Sequence, residues 1–234
     1  MNKLAVFVEG LTEVLFMDKL IEEIAGEHNV LIEHRAIRGG TTTKLTTRLI
    51  KAARPNTGQK YFVLIYDCGA DNSVKTRIRY EHQNLTNHGY SRIIGLHDVA
   101  PTFTRDEIPK LEASLPKYIK TSLIPVTFIL AIMEIEGWFL AETTHYGRID
   151  PAITVAAIKE TLKFDPEHDD MEQRSAPADD LDNCYKIGGK RYTKRKGRLQ
   201  RTADALDYAP IYIKFPEKFR YVGKMIGCIE AFLT

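Results

Sequence analysis

The sequence predicts an α/β fold, a mostly parallel sheet flanked by helices, followed by a helical and irregular C-terminal lobe. Three observations carry this. Apolar runs of strand length alternate with segments of helical periodicity through residues 1–145. The strands at 4–8, 61–66 and 126–132 each run straight into acids, at Glu9, at Asp67 and at the Glu134/Glu136 pair. Residues 146–234 then change texture, with an acidic stretch followed by a basic one and no repeat or clear linker, which reads as a lobe on the same core.

The elements follow in order. Leu4 to Val8 is a buried strand that stops at Glu9. Gly10 permits a tight turn, and Thr12 suits the N-cap of a helix with Leu15, Phe16, Leu20 and Ile21 at helical spacing. Residues 29–38 have strand character, Gly39-Gly40 ends them, and 41–53 reads as a second helix. The turn at 55–58 leads into 61–66, a continuous apolar strand expected to be central and covered on both faces. Ser73 is placed to cap a helix running to about Asn87. A strand at 91–96, a helix at 106–115 with Pro109 in its first turn, and a strand at 126–132 complete the sheet-forming part. In the lobe, 151–162 reads as a helix and 165–182 as an acidic loop. A segment of basic residues at 186–201, an apolar-aromatic stretch at 211–215 and a last helix at 217–233 follow.

Composition bounds the class. The chain has 234 residues, 44% hydrophobic and 27% charged, as ordinary soluble proteins do. A net charge of +2 offers no global case for nucleic acid, so any such case rests on local clustering. Cys68, Cys184 and Cys228 are far apart with no CxxC, which suits a reducing cytoplasm and argues against a cysteine zinc site. No leader is read at the N-terminus and no apolar run suits a membrane span.

In a parallel sheet the three acid-terminated strand ends share one edge, so their carboxylates converge where open α/β folds keep their chemistry. Glu13, in the first turn of the helix after Glu9, can face the same space or simply favour the helix dipole. Convergent carboxylates with no cysteine and little histidine suit a hard cation, Mg²⁺ or Mn²⁺. Such an ion neutralises their repulsion and supports phosphodiester hydrolysis. Read as an extended chain, 134–136 places Glu134 and Glu136 on one face. Trp138 and Phe139 read as core. The glycine-hinged Arg38 to Lys44 loop, with Gly39, Gly40, Thr41 and Lys44, offers amides to a phosphate before the helix at 41–53 or serves as an ordinary cap. Lys186, Lys190, Arg191, Lys194, Arg195, Lys196 and Arg198 form the best grip for nucleic-acid phosphates. The alternative pairs them with the preceding acids, with Asp169, Asp170, Asp179 and Asp180 shielding the basic surface.

The run Phe7-Val8-Glu9-Gly10-Leu11-Thr12-Glu13, with Asp67 ending a later strand and Asp71 close behind, resembles a Toprim domain. That catalytic fold is shared by topoisomerases, bacterial primases and nucleases of the OLD (overcoming lysogenisation defect) type. The VEGxTE form is most similar to the OLD branch and to small stand-alone Toprim proteins, and Ile132-Met133-Glu134-Ile135-Glu136-Gly137-Trp138-Phe139-Leu140 resembles a late segment of those small proteins. The resemblance covers about residues 3–142. It implies Glu9 as metal ligand or acid–base group, Glu13 as a second acid and Asp67 as the first metal aspartate. Glu136, with Glu134 as rival, would complete the set. The usual Asp-x-Asp is Asp67-Cys68-Gly69 here, so Asp71 is the substitute if its loop curls back. Lys190 or Lys194 would supply the lysine that OLD-like nucleases use near the scissile phosphate.

The expectation is therefore a cytoplasmic, Mg²⁺- or Mn²⁺-dependent nuclease on DNA or RNA. The resemblance implies a phage-defence role under an ABC/OLD-type partner ATPase, and a homodimer is left open. Primase-like nucleotidyl transfer on the same fold and a non-catalytic, metal-regulated binding subunit stay open beside it.

Overall fold

Seven residues, Asn2–Val8, form β1, and its apolar side chains from Leu4 onward are fully buried because the strand lies inside the sheet with a neighbour on each side. The computed structural model describes residues 1–39, 43–54, 58–69 and 73–234. Gly40, Thr41, Asp71 and most of the expected 55–58 turn fall outside them.

The chain is α/β, with a six-stranded sheet in the order β3-β2-β4-β1-β5-β6 flanked by helices, a Rossmann-like arrangement. Helix α1 (Leu11–Ala25) follows β1. Then come β2 (Val30–Arg38), β3 (Thr46–Lys51), β4 (Tyr61–Asp67), α2 (Val74–Asn87), β5 (Arg92–Asp98), α3 (Ile108–Ser114) and β6 (Val126–Ala131). All neighbours pair in parallel except β2 and β3. The expected central strand is β4, whose middle is buried between β2 and β1.

The helix expected at 41–53 is instead the edge strand β3. Thr46, Thr47 and Ile50 are β-branched, a side-chain shape that suits a pleated edge. Gly39, at φ +82°, lets the backbone approach Lys44 so closely that a Cβ would lie 2.5 Å from its carbonyl oxygen. Every residue of β3 is exposed, so no buried face marks its period. Asp18 of α1 anchors this hairpin, accepting from His34 of β2 at 3.0 Å and from Lys51 of β3 at 2.8 Å.

Alternation along β5 sorts the layers. Arg92 hydrogen-bonds to carbonyls of the C-terminal helix, whereas a Cβ on Gly95 would meet Ile78 of α2. The two helices therefore cover opposite faces. That last helix is α11 (Arg220–Leu233), and its end is tied to the starts of β1 and β4 through Asn2 and Tyr61.

Beyond β6 lie α4 (Glu136–Ala141), α5 (His145–Ile149), α6 (Val155–Leu162), α7 (Pro177–Ile187), α8 (Lys196–Ala205), α9 (Tyr208–Ile213) and α10 (Phe215–Lys218). The expected 151–162 helix begins only at Val155, because Thr154 caps it with its hydroxyl. The expected acidic loop becomes α7 at Pro177, since proline is well suited to a first helical position. Helices α8 and α9 pack on α1, and one buried apolar cluster runs from Leu4 to Phe232. Among the described residues no helix is long and apolar enough to cross a membrane.

Candidate active site

Glu9 leaves β1 at the carboxyl edge of the sheet, level with His97 by the β1–β5 register. Its Oε1 lies against His97 Nδ1 and accepts the Asp98 backbone N–H at 3.2 Å. Gly10, rather than Thr12, precedes the first helical residue, and its N–H donates to Glu13 Oε2 at 2.8 Å. That bond holds Glu13 at the helix start, buried, instead of out in solvent. Asp98, the last residue of β5, accepts from the Ile135 N–H at 3.2 Å.

Glu136 arrives from the other side. Met133 takes a left-handed backbone (φ +61°) and α4 begins at Glu136, so 134–136 is not extended as the sequence suggested. The side chain of Glu136 is fully buried, accepts from the Tyr192 hydroxyl at 2.5 Å, and leaves Oε2 buried without a hydrogen bond. Glu134 stays nearer the rim, taking the Ala178 N–H at 3.1 Å.

Lys194 reaches this group from the α7–α8 connection. Its Nζ is 3.4 Å from Glu136 Oε1 and 3.9 Å from Glu134 Oε1. Asp182 fixes that connection by accepting from the Tyr192 N–H at 2.8 Å and from Arg191 at 2.9 Å.

The electrostatics follow from the crowding. Burial, then the charges of Glu136 and Glu9, push Glu13 up to about 7. Burial and the charges of Glu13, Glu136 and Glu9 raise Asp98 well above its ordinary value. Burial opposes the charge on Lys194, but the surrounding carboxylates outweigh it and hold the ammonium above its usual range. The site thus combines carboxyls whose protons are held more tightly than usual with a lysine that stays charged.

No protein-family model matches this sequence, and no curated protein or solved structure resembles it significantly.

The sequence-derived residues separate accordingly. Glu9, Glu13, Glu136 and Lys194 come together with Glu134 at their rim. Asp67 lies at the same edge, level with Val8, but Arg38 takes it in a two-pronged pair at 2.7 and 3.2 Å, and the Gly69 N–H caps its Oδ1. Lys190 pairs with Asp150 at 3.5 Å instead of entering the pocket. Lys186 and Arg191 share Asp182, and Arg198 reaches Thr193. Arg195 and Lys196 are exposed at the start of α8. Gly39 and Lys44 belong to the hairpin connection, so no helix follows them to present amides to a phosphate. The alternative pairing with the preceding acids is made by Asp182 and not by the acids named as a shield. Asp180 pairs with Arg174, Asp170 caps a short turn and Asp169 accepts from Asp165, while Asp182 alone of that acidic stretch meets the basic segment.

Asp98, His97 and the role of Tyr192 are absent from the sequence reading. The signal for Asp98 was present, since it too ends an apolar strand.

An all-carboxylate donor set with one buried, unbonded oxygen suits a hard divalent cation. Glu9, Glu13, Asp98 and Glu136 would hold it. Their ligand atoms are spread wider than the 4.8 Å trio formed by Asp165, Glu167 and His168, the one such trio among the described residues. That trio lies on the surface, where Lys159 already pairs with Asp165 at 2.6 Å.

Proposed function

We propose that this chain is a Toprim-like, divalent-metal-dependent nuclease acting on DNA or RNA. The observation that carries the reading is the meeting of Glu9, Glu13, Asp98 and Glu136 with Lys194 at the carboxyl edge of a parallel sheet. A bound Mg²⁺ or Mn²⁺ would polarise a phosphoryl oxygen and lower the pKa of its water. Glu13, raised to about 7 while no ion offsets its neighbours' charges, would give up its proton as the ion is taken up and would then serve as a ligand through Oε1, because Oε2 is occupied by the Gly10 N–H. Lys194 remains an ammonium, so it suits the growing negative charge on a phosphate rather than proton abstraction. His97 orients Glu9, and Tyr192 fixes Glu136. Asp67, neutralised by Arg38, is assigned no step.

The sequence has no GxxxxGK[ST] motif, which leaves ATP-driven control to a partner ATPase of the kind the Toprim resemblance implies. The decisive assay offers plasmid, single strand and tRNA with Mg²⁺ or Mn²⁺ to the wild type and to the double variant Glu9→Gln, Asp98→Asn. Cleavage by the wild type and background levels in a folded double variant are expected. Metal-dependent cleavage retained by the double variant overturns the site. Calorimetric metal binding with no turnover on any substrate would favour a metal-regulated binding subunit instead.

A further inference from the structure

We propose that the surface between α2 and the 114–125 segment docks a single-stranded stretch of nucleic acid, away from the acid pocket. The proposal deepens the nuclease reading by giving the substrate a second hold.

The site is a cavity of about 280 Å³ whose lining includes Arg79, Tyr80, Gln83, Tyr118 and Lys120, with no acid among them. Two large aromatic rings stand open at its wall. Tyr118 is 78% exposed and Tyr80 66% exposed, whereas every other Phe, Tyr and Trp side chain is buried or half-buried. Tyr118 keeps this outward position with a left-handed backbone (φ +68°), uncommon for a residue with a bulky side chain. Its ring has the Arg79 guanidinium 5.3 Å and the Lys75 ammonium 5.9 Å from its centre.

The positive charge is left uncompensated by the neighbouring described acids. Glu81 of α2 bonds to Asn84, and its charge bears on Tyr66 and Tyr90 instead. Glu112 of α3 pairs with Arg220 at 3.2 Å. Lys75 donates to the Ser114 carbonyl at 2.6 Å, and burial first, then the repulsion of Arg79 and Lys117, push it below its ordinary value.

Open aromatic faces interleaved with cations match what a single strand presents, unstacked bases and a phosphate line. A duplex hides its base faces, so it can use only the charges. The commitment is therefore to single-stranded nucleic acid.

The test is fluorescence anisotropy of a labelled short oligothymidylate, and of its RNA counterpart, with excess EDTA so that cleavage does not intervene. Tyr118→Ala should weaken binding about tenfold, the ~1.4 kcal/mol that stacking one base contributes. Tyr118→Phe should restore it, since the ring is kept. Arg79→Ala with Lys120→Ala should lower the slope of log affinity against log salt by ~1.4, about 0.7 for each phosphate no longer neutralised. Unchanged affinity in Tyr118→Ala, or loss in Tyr118→Phe equal to that in Tyr118→Ala, overturns the stacking proposal. An unchanged salt slope overturns the role of the two cations. Because these readouts need no turnover, they stand or fall separately from the acid pocket. Normal cleavage with unaltered binding in the variants would remove the surface and leave the nuclease, and the reverse pattern would do the opposite.

Discussion

Replacing Lys194 by methionine keeps the length of the side chain and removes the one cation the described structure sets among the pocket carboxylates. Its Nζ lies 3.4 Å from Glu136 Oε1. At an effective dielectric of about 20, opposite unit charges at that distance attract by about 5 kcal/mol. The lysine side chain is 53% exposed, so solvent screens it and roughly half of that survives. The expected loss of folding stability is about 2 kcal/mol at pH 8 in EDTA. At pH 5 the loss should be smaller, because Glu13 then carries its proton and no longer adds its attraction for Lys194 to that of Glu136. The sign can be checked on the wild type. Glu13 is raised from 4.5 to about 7, so the folded chain holds the extra proton. Stability from this group is full below about 4.5 and falls as pH rises through about 7, by about 3 kcal/mol. Urea unfolding of both proteins at the two pH values, in EDTA and then with excess Mg²⁺, measures all of this. Excess Mg²⁺ should return most of the stability lost at pH 8. Equal destabilisation at pH 5 and pH 8 would mean that Lys194 acts by packing, and the charge account of the pocket would be refuted.

Two further predictions concern the scaffold. Burial works to raise Asp18, but hydrogen bonds from His34 and Lys51 outweigh it and hold the group below its ordinary value. Its stabilisation is therefore present above pH 3.8 and is lost as pH falls through the folded-state value. Asp18→Asn should cost about 2 kcal/mol at pH 7, with the gap closing in acid, as read from denaturation midpoints. Gly95→Ala should cost about 1–3 kcal/mol by overpacking, since the new Cβ would lie 2.7 Å from Ile78 Cδ1 and 3.0 Å from Phe128 Cδ1. Ile78→Val deletes that Cδ1, so the double variant should cost less than the sum of the two single changes in a thermal-melt cycle.

What the sequence made legible follows from which forces act locally. β1, β4 and β6 are apolar runs buried in the sheet, so burial alone marks them. β3 is exposed along its whole length, so neither face leaves a period to read, and only the hairpin turn at Gly39 decides its state. The 165–182 stretch reads as a loop because it is strongly acidic and carries Pro166 and Pro177, yet Pro177 suits the first turn of α7 and Asp179 and Asp180 there favour a helix N-terminus. Leu181, Cys184 and Tyr185 supply the buried face that holds it.

The contrast between Asp67 and Asp98 shows where chain-local reading stops. Both end apolar parallel strands flanking β1, and both stand at the same sheet edge. Asp67 sits beside β2, whose last residue, Arg38, neutralises it with two hydrogen bonds. Asp98 sits on the other side, between β1 and β6, where its neighbours are Glu9, Glu13 and Glu136 and its charge is opposed. A resemblance carried position by position selects Asp67, because the motif lies in sequence. Field strength selects Asp98, because repulsion depends on which strands the sheet makes adjacent. If a divalent ion binds at this edge, the acid that gains most from it is the one whose charge is otherwise least tolerable. Asp98→Asn should therefore weaken Mg²⁺ affinity by at least ~10-fold in calorimetry, whereas Asp67→Asn should change it by less than ~3-fold. Equal losses would return Asp67 to the site and show that Arg38 releases it when the ion arrives.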